Sequence, residues 1–143
     1  PGLNYRMTEV QAILGSFGLK EIDERIKKRR RFKDEYFKLL SKMDNFSIPE
    51  NSPGHNWQTF LVFPKKKINR PQVLEYMNQK GVNAIRGTYS LISLDFYKNK
   101  YGDYSDLENS KYLDQQAIAL PFSEDYGSDD AKKVVSILLE ATK

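Results

Sequence analysis

The chain has 143 residues, 39% apolar and 13% aromatic, enough to bury a usable core in one domain and too rich in apolar side chains for a disordered segment. Its 23 basic and 19 acidic residues leave a mild net charge of +4, which argues against a nucleic-acid partner. No apolar run approaches the roughly 20 residues that span a bilayer, no signal peptide is visible and there is no cysteine, so the expectation is a cytoplasmic protein without membrane or disulfide framework.

Thr8-Glu9-Val10-Gln11 fits a capping box, with Thr8 as N-cap and Gln11 reaching back. Apolar residues then recur at helical spacing through Val10, Ile13, Leu14, Phe17, Ile22, Ile26, Phe32, Tyr36, Leu39, Leu40 and Met43, predicting one helix of about thirty residues. Gly15 and Gly18 interrupt it at a cost of up to about 1 kcal/mol each, which marks either close approach of another backbone or a bend. The basic run Lys27 to Arg31 points all round the helix axis. Carboxylates four residues away pair Asp23 with Lys27, Glu24 with Lys28, Arg30 with Asp34 and Arg31 with Glu35, so a solvated helix face is expected.

Asn51-Ser52-Pro53-Gly54 is a turn cluster, and Trp57 to Phe63 reads as a strand. Lys65-Lys66-Lys67 is a solvated loop. Pro71 and Gly81 bracket a short helix with Val73, Leu74 and Met77 on one face. Val82 to Thr88 reads as a second strand, and Leu91 to Tyr104 as irregular. Ser105 or Asp106 caps a third helix running to about Ile118, and Ala119 to Phe122 forms a short strand. Ser128 caps a last helix, Asp129 to Ala141, with Asp129 and Asp130 at its positive end. The fold class is therefore α/β: an α+β sandwich with a long N-terminal helix and a small sheet of about three strands with helices packed on it.

His55 is the only histidine, which leaves no zinc site built from His and Cys and no supported catalytic triad; no metal is expected. No glycine-rich phosphate loop is present. The one anion-binding pattern is Asn4-Tyr5-Arg6 just before the first helix, where an arginine fork and the amides of a helix start can face one anionic ligand. The bland alternative is a structured loop in which the tyrosine packs and the arginine meets a nearby acid.

Gly2-Leu3-Asn4-Tyr5-Arg6-Met7-Thr8-Glu9-Val10-Gln11-Ala12 resembles the G-x-N-Y-R-M-T-E-x-Q-A signature of the DegT/DnrJ/StrS-type sugar aminotransferases, pyridoxal-phosphate enzymes of the aspartate aminotransferase fold type. Further along, Leu19 to Leu40 resembles the family's long charged helix, and His55-Asn56-Trp57 with Phe60 its H-x-W strand entry. Val73 to Gly81 resembles its following helix, Tyr89 the tyrosine of a Tyr-Pro-Pro-Leu-His segment, and Ala119-Leu120-Pro121 its late Leu-Pro turn. Here the segment is Tyr89-Ser90-Leu91-Ile92-Ser93, without the prolines and the histidine, so the sugar is not carried over from the common pattern.

The resemblance implies the C-terminal small domain of such an enzyme. Residues 1–7 would be a hinge and active-site loop, 8–43 the bridging helix and 55–143 the small α/β domain. The Schiff-base lysine, the carboxylate facing the pyridine nitrogen and the main phosphate-binding serine would lie in a large N-terminal domain, and no lysine here matches. Asn4 would reach the cofactor phosphate of the neighbouring subunit in a homodimer, with Tyr5 and Arg6 beside it. His55, Trp57, Arg86 and Tyr89 are the implied substrate-side residues. The implied reaction moves an amino group from glutamate to a nucleotide-linked keto sugar, and the segment alone is expected to be inactive. The alternative is a non-catalytic interaction module that uses the basic helix to bind a partner.

Overall fold

The structure, a computed structural model, describes residues 5–102 and 107–143. The capping box forms: the Gln11 amide donates to Thr8 Oγ1 (3.3 Å) and the Thr8 amide to Gln11 Oε1 (3.0 Å). The single long helix does not. It is divided into α1 (Glu9–Lys20) and α2 (Ile22–Leu40), with Glu21 between them closing a tight turn onto the carbonyls of Gly18 and Leu19. A Cβ added at Gly15 or Gly18 would meet nothing within 4 Å, so no backbone among the described residues approaches either glycine, and the break falls at Glu21, three residues past Gly18.

Helix α2 buries Phe32, Tyr36 and Leu40, spaced four apart along one stripe, against α6 (Ser128–Ala141). The buried Tyr36 hydroxyl donates to the Pro121 carbonyl at 2.5 Å. Among the described residues, none of the four expected i,i+4 ion pairs forms. Lys27 and Lys38 instead pair with Glu24 and Glu35 three residues back. Arg25 and Lys28 reach across to Glu124 (2.6 Å) and Asp125 (3.9 Å). The helix is not free in solvent, and the loop packed beside it competes for its cations.

Among the described residues the sheet has four strands, one more than expected, in the order β1-β2-β4-β3 with every neighbouring pair antiparallel. The addition is β1 (Phe46–Ser47), too short to leave a periodic signal. Strand β2 (Phe60–Pro64) starts three residues later than the apolar run suggests, because Trp57 sits at φ 51° and turns the chain before the ladder begins. Strand β3 is only Ile85–Arg86, and β4 is Ile118–Leu120. Helix α3 (Arg70–Gln79) has Pro71 in its first turn and Gly81 at φ 75° just past its end. The stretch expected to be irregular holds a 3-10 turn (Leu91–Ser93) and α4 (Asp95–Tyr101). Helix α5 is Glu108–Gln116; its expected caps Ser105 and Asp106 lie outside the described residues. Gly127, not Ser128, is the N-cap of α6, and its amide donates to Asp130 Oδ2 at 2.8 Å.

The core lies where Phe60, Val62, Ile118 and Leu120 of the sheet meet Val73 and Met77 of α3, Val134 and Leu138 of α6, and the α2 stripe. At the far edge the Gly87 amide donates to the Ala117 carbonyl at 2.9 Å, continuing the β3–β4 ladder by one bond. A Cβ at Gly87 would stand 2.8 Å from Ala117 Cβ and 2.9 Å from its carbonyl carbon. Gly87→Ala is therefore expected to destabilise the fold by about 1–3 kcal/mol, as overpacking does. Urea titration checks it: the midpoint should fall with an unchanged m value, and a midpoint equal to wild type would show that this edge can open.

Candidate functional site

Asn4 lies outside the described residues. Tyr5 is 87% exposed and Arg6 is exposed, and among the described residues neither has a hydrogen bond or an ion pair. The capping box takes up the amides of Thr8 and Gln11, leaving those of Glu9 and Val10 as the donors of this helix start. Helix α1 buries nothing. Val10, Ile13, Leu14 and Phe17 form one apolar stripe that faces outward.

His55 and Trp57 do come together. Their rings stack at 4.2 Å, and the Trp57 amide donates to His55 Nδ1 at 2.9 Å. Trp57, however, is 1% exposed and packs on Phe37 and Phe60, so it serves mainly as core while His55 stays exposed. Beneath this pair lies Lys33, the only buried lysine among the described residues. Its ammonium donates to Asn51 Oδ1 (3.0 Å), pairs with Asp34 (2.6 Å) and sits over the rings of Phe37 and Trp57. An amine held in this way is not presented as a nucleophile.

Arg86 and Tyr89 also come together, with the guanidinium carbon 4.0 Å from the ring centre. Arg86 Nε donates to the Thr88 carbonyl (3.1 Å) and Nη2 to Asp114 Oδ1. Asp114, 6% exposed on α5, also accepts from the Ser90 amide at 3.1 Å. Its own carbonyl and that of Ala117 accept from Arg70 Nη1, at 2.5 and 3.2 Å. Burial alone would push the Asp114 carboxyl up. The Ser90 amide, the Arg86 guanidinium and the Ser93 hydroxyl outweigh that and hold it below the ordinary aspartate value. Asp114, Arg70 and Ser90 were not legible as site residues, because nothing in Glu108–Gln116 sets one carboxylate apart from an ordinary helix acid.

The two pairs are not neighbours. Arg86 is in register with Ile118, and Phe60 with Leu120, so Trp57 and Tyr89 leave the sheet at opposite ends. Among the described residues no group of His, Cys, Asp and Glu could hold a metal ion.

A carboxylate with a folded-state value below its unfolded one contributes stability that is complete above the unfolded value and is lost as pH falls through the folded one. Asp114→Asn should therefore lower the urea midpoint at neutral pH and flatten its decline below about pH 4, the ordinary aspartate range. Midpoints measured across that range check it; an acid decline as steep as wild type would show that Asp114 is not ion-paired.

Residues 1–139 match the DegT/DnrJ/EryC1/StrS aminotransferase family. The fold is shared with PseC of Helicobacter pylori, an aminotransferase involved in the biosynthesis of pseudoaminic acid, at TM-score 0.87 and 17% identity over 99% of this chain. It is shared with the Escherichia coli GDP-4-keto-6-deoxy-D-mannose-3-dehydratase with bound hydrated PLP, at 0.83 and 20% over 96%. The aminotransferase TlmJ of Streptoalloteichus hindustanus follows, at 0.76 and 20% over 92%. The chain spans 39%, 37% and 35% of those three chains. Its α/β architecture is that of the small domain of fold-type-I pyridoxal-phosphate enzymes. Tested against that cofactor, Tyr5 and Arg6 are exposed and, among the described residues, unpaired, so both are free to face its phosphate, whereas the buried lysine is committed to Asn51 and Asp34. With a match that covers nearly all of its length, this chain belongs to the DegT/DnrJ/EryC1/StrS aminotransferase family, as a part that resembles the C-terminal portion of larger members.

Proposed function

We propose that this chain is the small-domain portion of a sugar aminotransferase that moves an amino group from glutamate to a nucleotide-linked keto sugar. The family match over residues 1–139 carries the reading. Pyridoxal phosphate, when bound, supplies the electron sink for such a transfer. The chain's own residues then hold and orient the reactants. Asn4 reaches the cofactor phosphate across a homodimer, with Tyr5 and Arg6 beside it, while Arg86 and Tyr89 face substrate. His55, stacked on a buried ring, offers an exposed polar edge to the nucleotide-sugar end of the cleft; Trp57 supports it from the core.

The partner of α1 is the large domain that carries the Schiff-base lysine. An outward stripe of Val10, Ile13, Leu14 and Phe17 on a 12-residue helix supports this, since a helix of that length is marginal unless its apolar face is covered. The rival reading, a basic helix that binds a partner on its own, is weakened because Arg25 and Lys28 already face Glu124 and Asp125. No helix among the described residues is long and apolar enough to cross a membrane, which accords with a cytoplasmic enzyme.

The test is an assay of the polypeptide encoded with its upstream reading frame, given glutamate and a panel of nucleotide-linked keto sugars. Equal amounts of 2-oxoglutarate and an amino-sugar nucleotide are expected from one of them. Formation of a deoxy sugar instead, or no 2-oxoglutarate with any of the panel, would overturn the transaminase. For the 143-residue chain alone, incubation with pyridoxal phosphate followed by borohydride should give no stoichiometric adduct by mass spectrometry. A single fully modified lysine would show that the covalent anchor is here after all.

A further inference from the structure

We propose that Asp114 is a positioning residue: it fixes the Arg86 guanidinium, backed by the Tyr89 ring, so that its free Nη end receives an oxyanion of the substrate. The inference rests on the substrate-side reading of Arg86 and Tyr89 and adds how they are held and what they can grip.

An arginine normally meets a carboxylate or phosphate through two parallel N–H donors. In Arg86 Nε donates to the Thr88 carbonyl and one Nη2 hydrogen to Asp114, which leaves both Nη1 hydrogens and the second Nη2 hydrogen. Among the described residues Nη1 has no partner, and the Arg86 side chain is 34% exposed. The Tyr89 ring covers one face of the guanidinium at 4.0 Å. Three constraints on one planar group leave its Nη end as the open edge, and a fixed donor loses less entropy on binding than a swinging one.

The local charge favours an anion. Arg86 pairs with the Asp114 carboxylate, which also accepts from the Ser90 amide, while the nearby Arg70 is held by the main-chain carbonyls of Asp114 and Ala117, so two guanidiniums stand beside a single carboxylate that is already occupied. Burial and the nearby Arg86 charge press the Arg70 value down, as expected where positive charge is in surplus. Asp114 is itself rigid: α5 is tied at its end by Gln116, whose Oε1 accepts from the Ile68 amide at 2.8 Å, and Ser110 Oγ lies 2.8 Å from Ser90 Oγ. Arg86 is therefore held from α5 as well as from its own strand. The oxyanion could belong to the diphosphate of a sugar nucleotide or to the carboxylate of the amino donor.

The test is NMR on the 143-residue chain with labelled arginine side chains, titrated separately with inorganic pyrophosphate and with L-glutamate. In the free wild type the two Nη signals of Arg86 should be resolved from one another while those of Arg6 are averaged; averaged Arg86 signals would overturn the proposal without any variant. One probe should shift Arg86 and the amides of residues 87–90 saturably, and which probe does so names the source of the oxyanion. Asp114→Asn is expected to weaken that binding about ten-fold, as loss of an interfacial charge-pair partner does. Arg86→Lys should weaken it at least as much. Loss with Arg86→Lys but wild-type binding with Asp114→Asn sinks the positioning role and leaves the substrate-side reading standing. No effect of Arg86→Lys, or no saturable shift with either probe, removes both.

Discussion

Among the described residues, strand β4 is the one that pairs with both β2 and β3. Phe60, Leu61 and Val62 pair with it on one side, Ile85 and Arg86 on the other. It is only three residues long, so its ladder bonds are few and side-chain burial must hold it in place. Ile118 and Leu120 are buried from both sides, at roughly 1.5–3 kcal/mol each. The residue before it is used just as fully: the Ala117 carbonyl accepts from Gly87 on the neighbouring strand and from Arg70 on α3. Moving β4 by one residue would turn Ile118 away from the core and take the Arg70 and Gly87 contacts with it. The loop that carries Arg86 and Tyr89 is thus positioned by the core.

What the sequence disclosed follows the same physics. Features that depend on local chemistry were legible: the Thr8–Gln11 box, the Pro71 and Gly81 brackets of α3, and the end of α6 at Ala141. Features that depend on what lies opposite were not. The salt bridges of α2 are an example, since i,i+4 spacing holds for a free helix and Glu124 and Asp125 are about a hundred positions away in the chain. Strand β1 exists because its two residues pair with Phe63 and Pro64, not because they alternate. Of the four residues the resemblance singled out, His55 stacks on Trp57 and Arg86 on Tyr89. Their supports, Lys33 and Asp114, come from other helices and carry no sequence mark.

The break between α1 and α2 separates two kinds of surface. Below it, α2 spends its apolar side chains on the domain's own core. Above it, α1 keeps an equally apolar stripe with nothing from this chain against it. One helical period would carry a single face straight through; the turn at Glu21 lets the two stripes point differently. An outward face on α1 accords with the large-domain partner proposed for it, in a chain that spans less than two-fifths of its structural relatives.

The departure at Tyr89-Ser90-Leu91-Ile92-Ser93 acquires a physical meaning once Asp114 is in view. Where the family pattern puts proline after the tyrosine, this chain has Ser90, whose amide donates to Asp114 Oδ1. Proline has no such donor. Where the pattern ends in histidine, this chain has Ser93, whose hydroxyl helps to hold the Asp114 carboxyl below its ordinary value. A loop with the common pattern would leave Asp114 short of partners inside a buried site, at a cost of about 1–3 kcal/mol for each one lost. The substitutions and the carboxylate are therefore one arrangement.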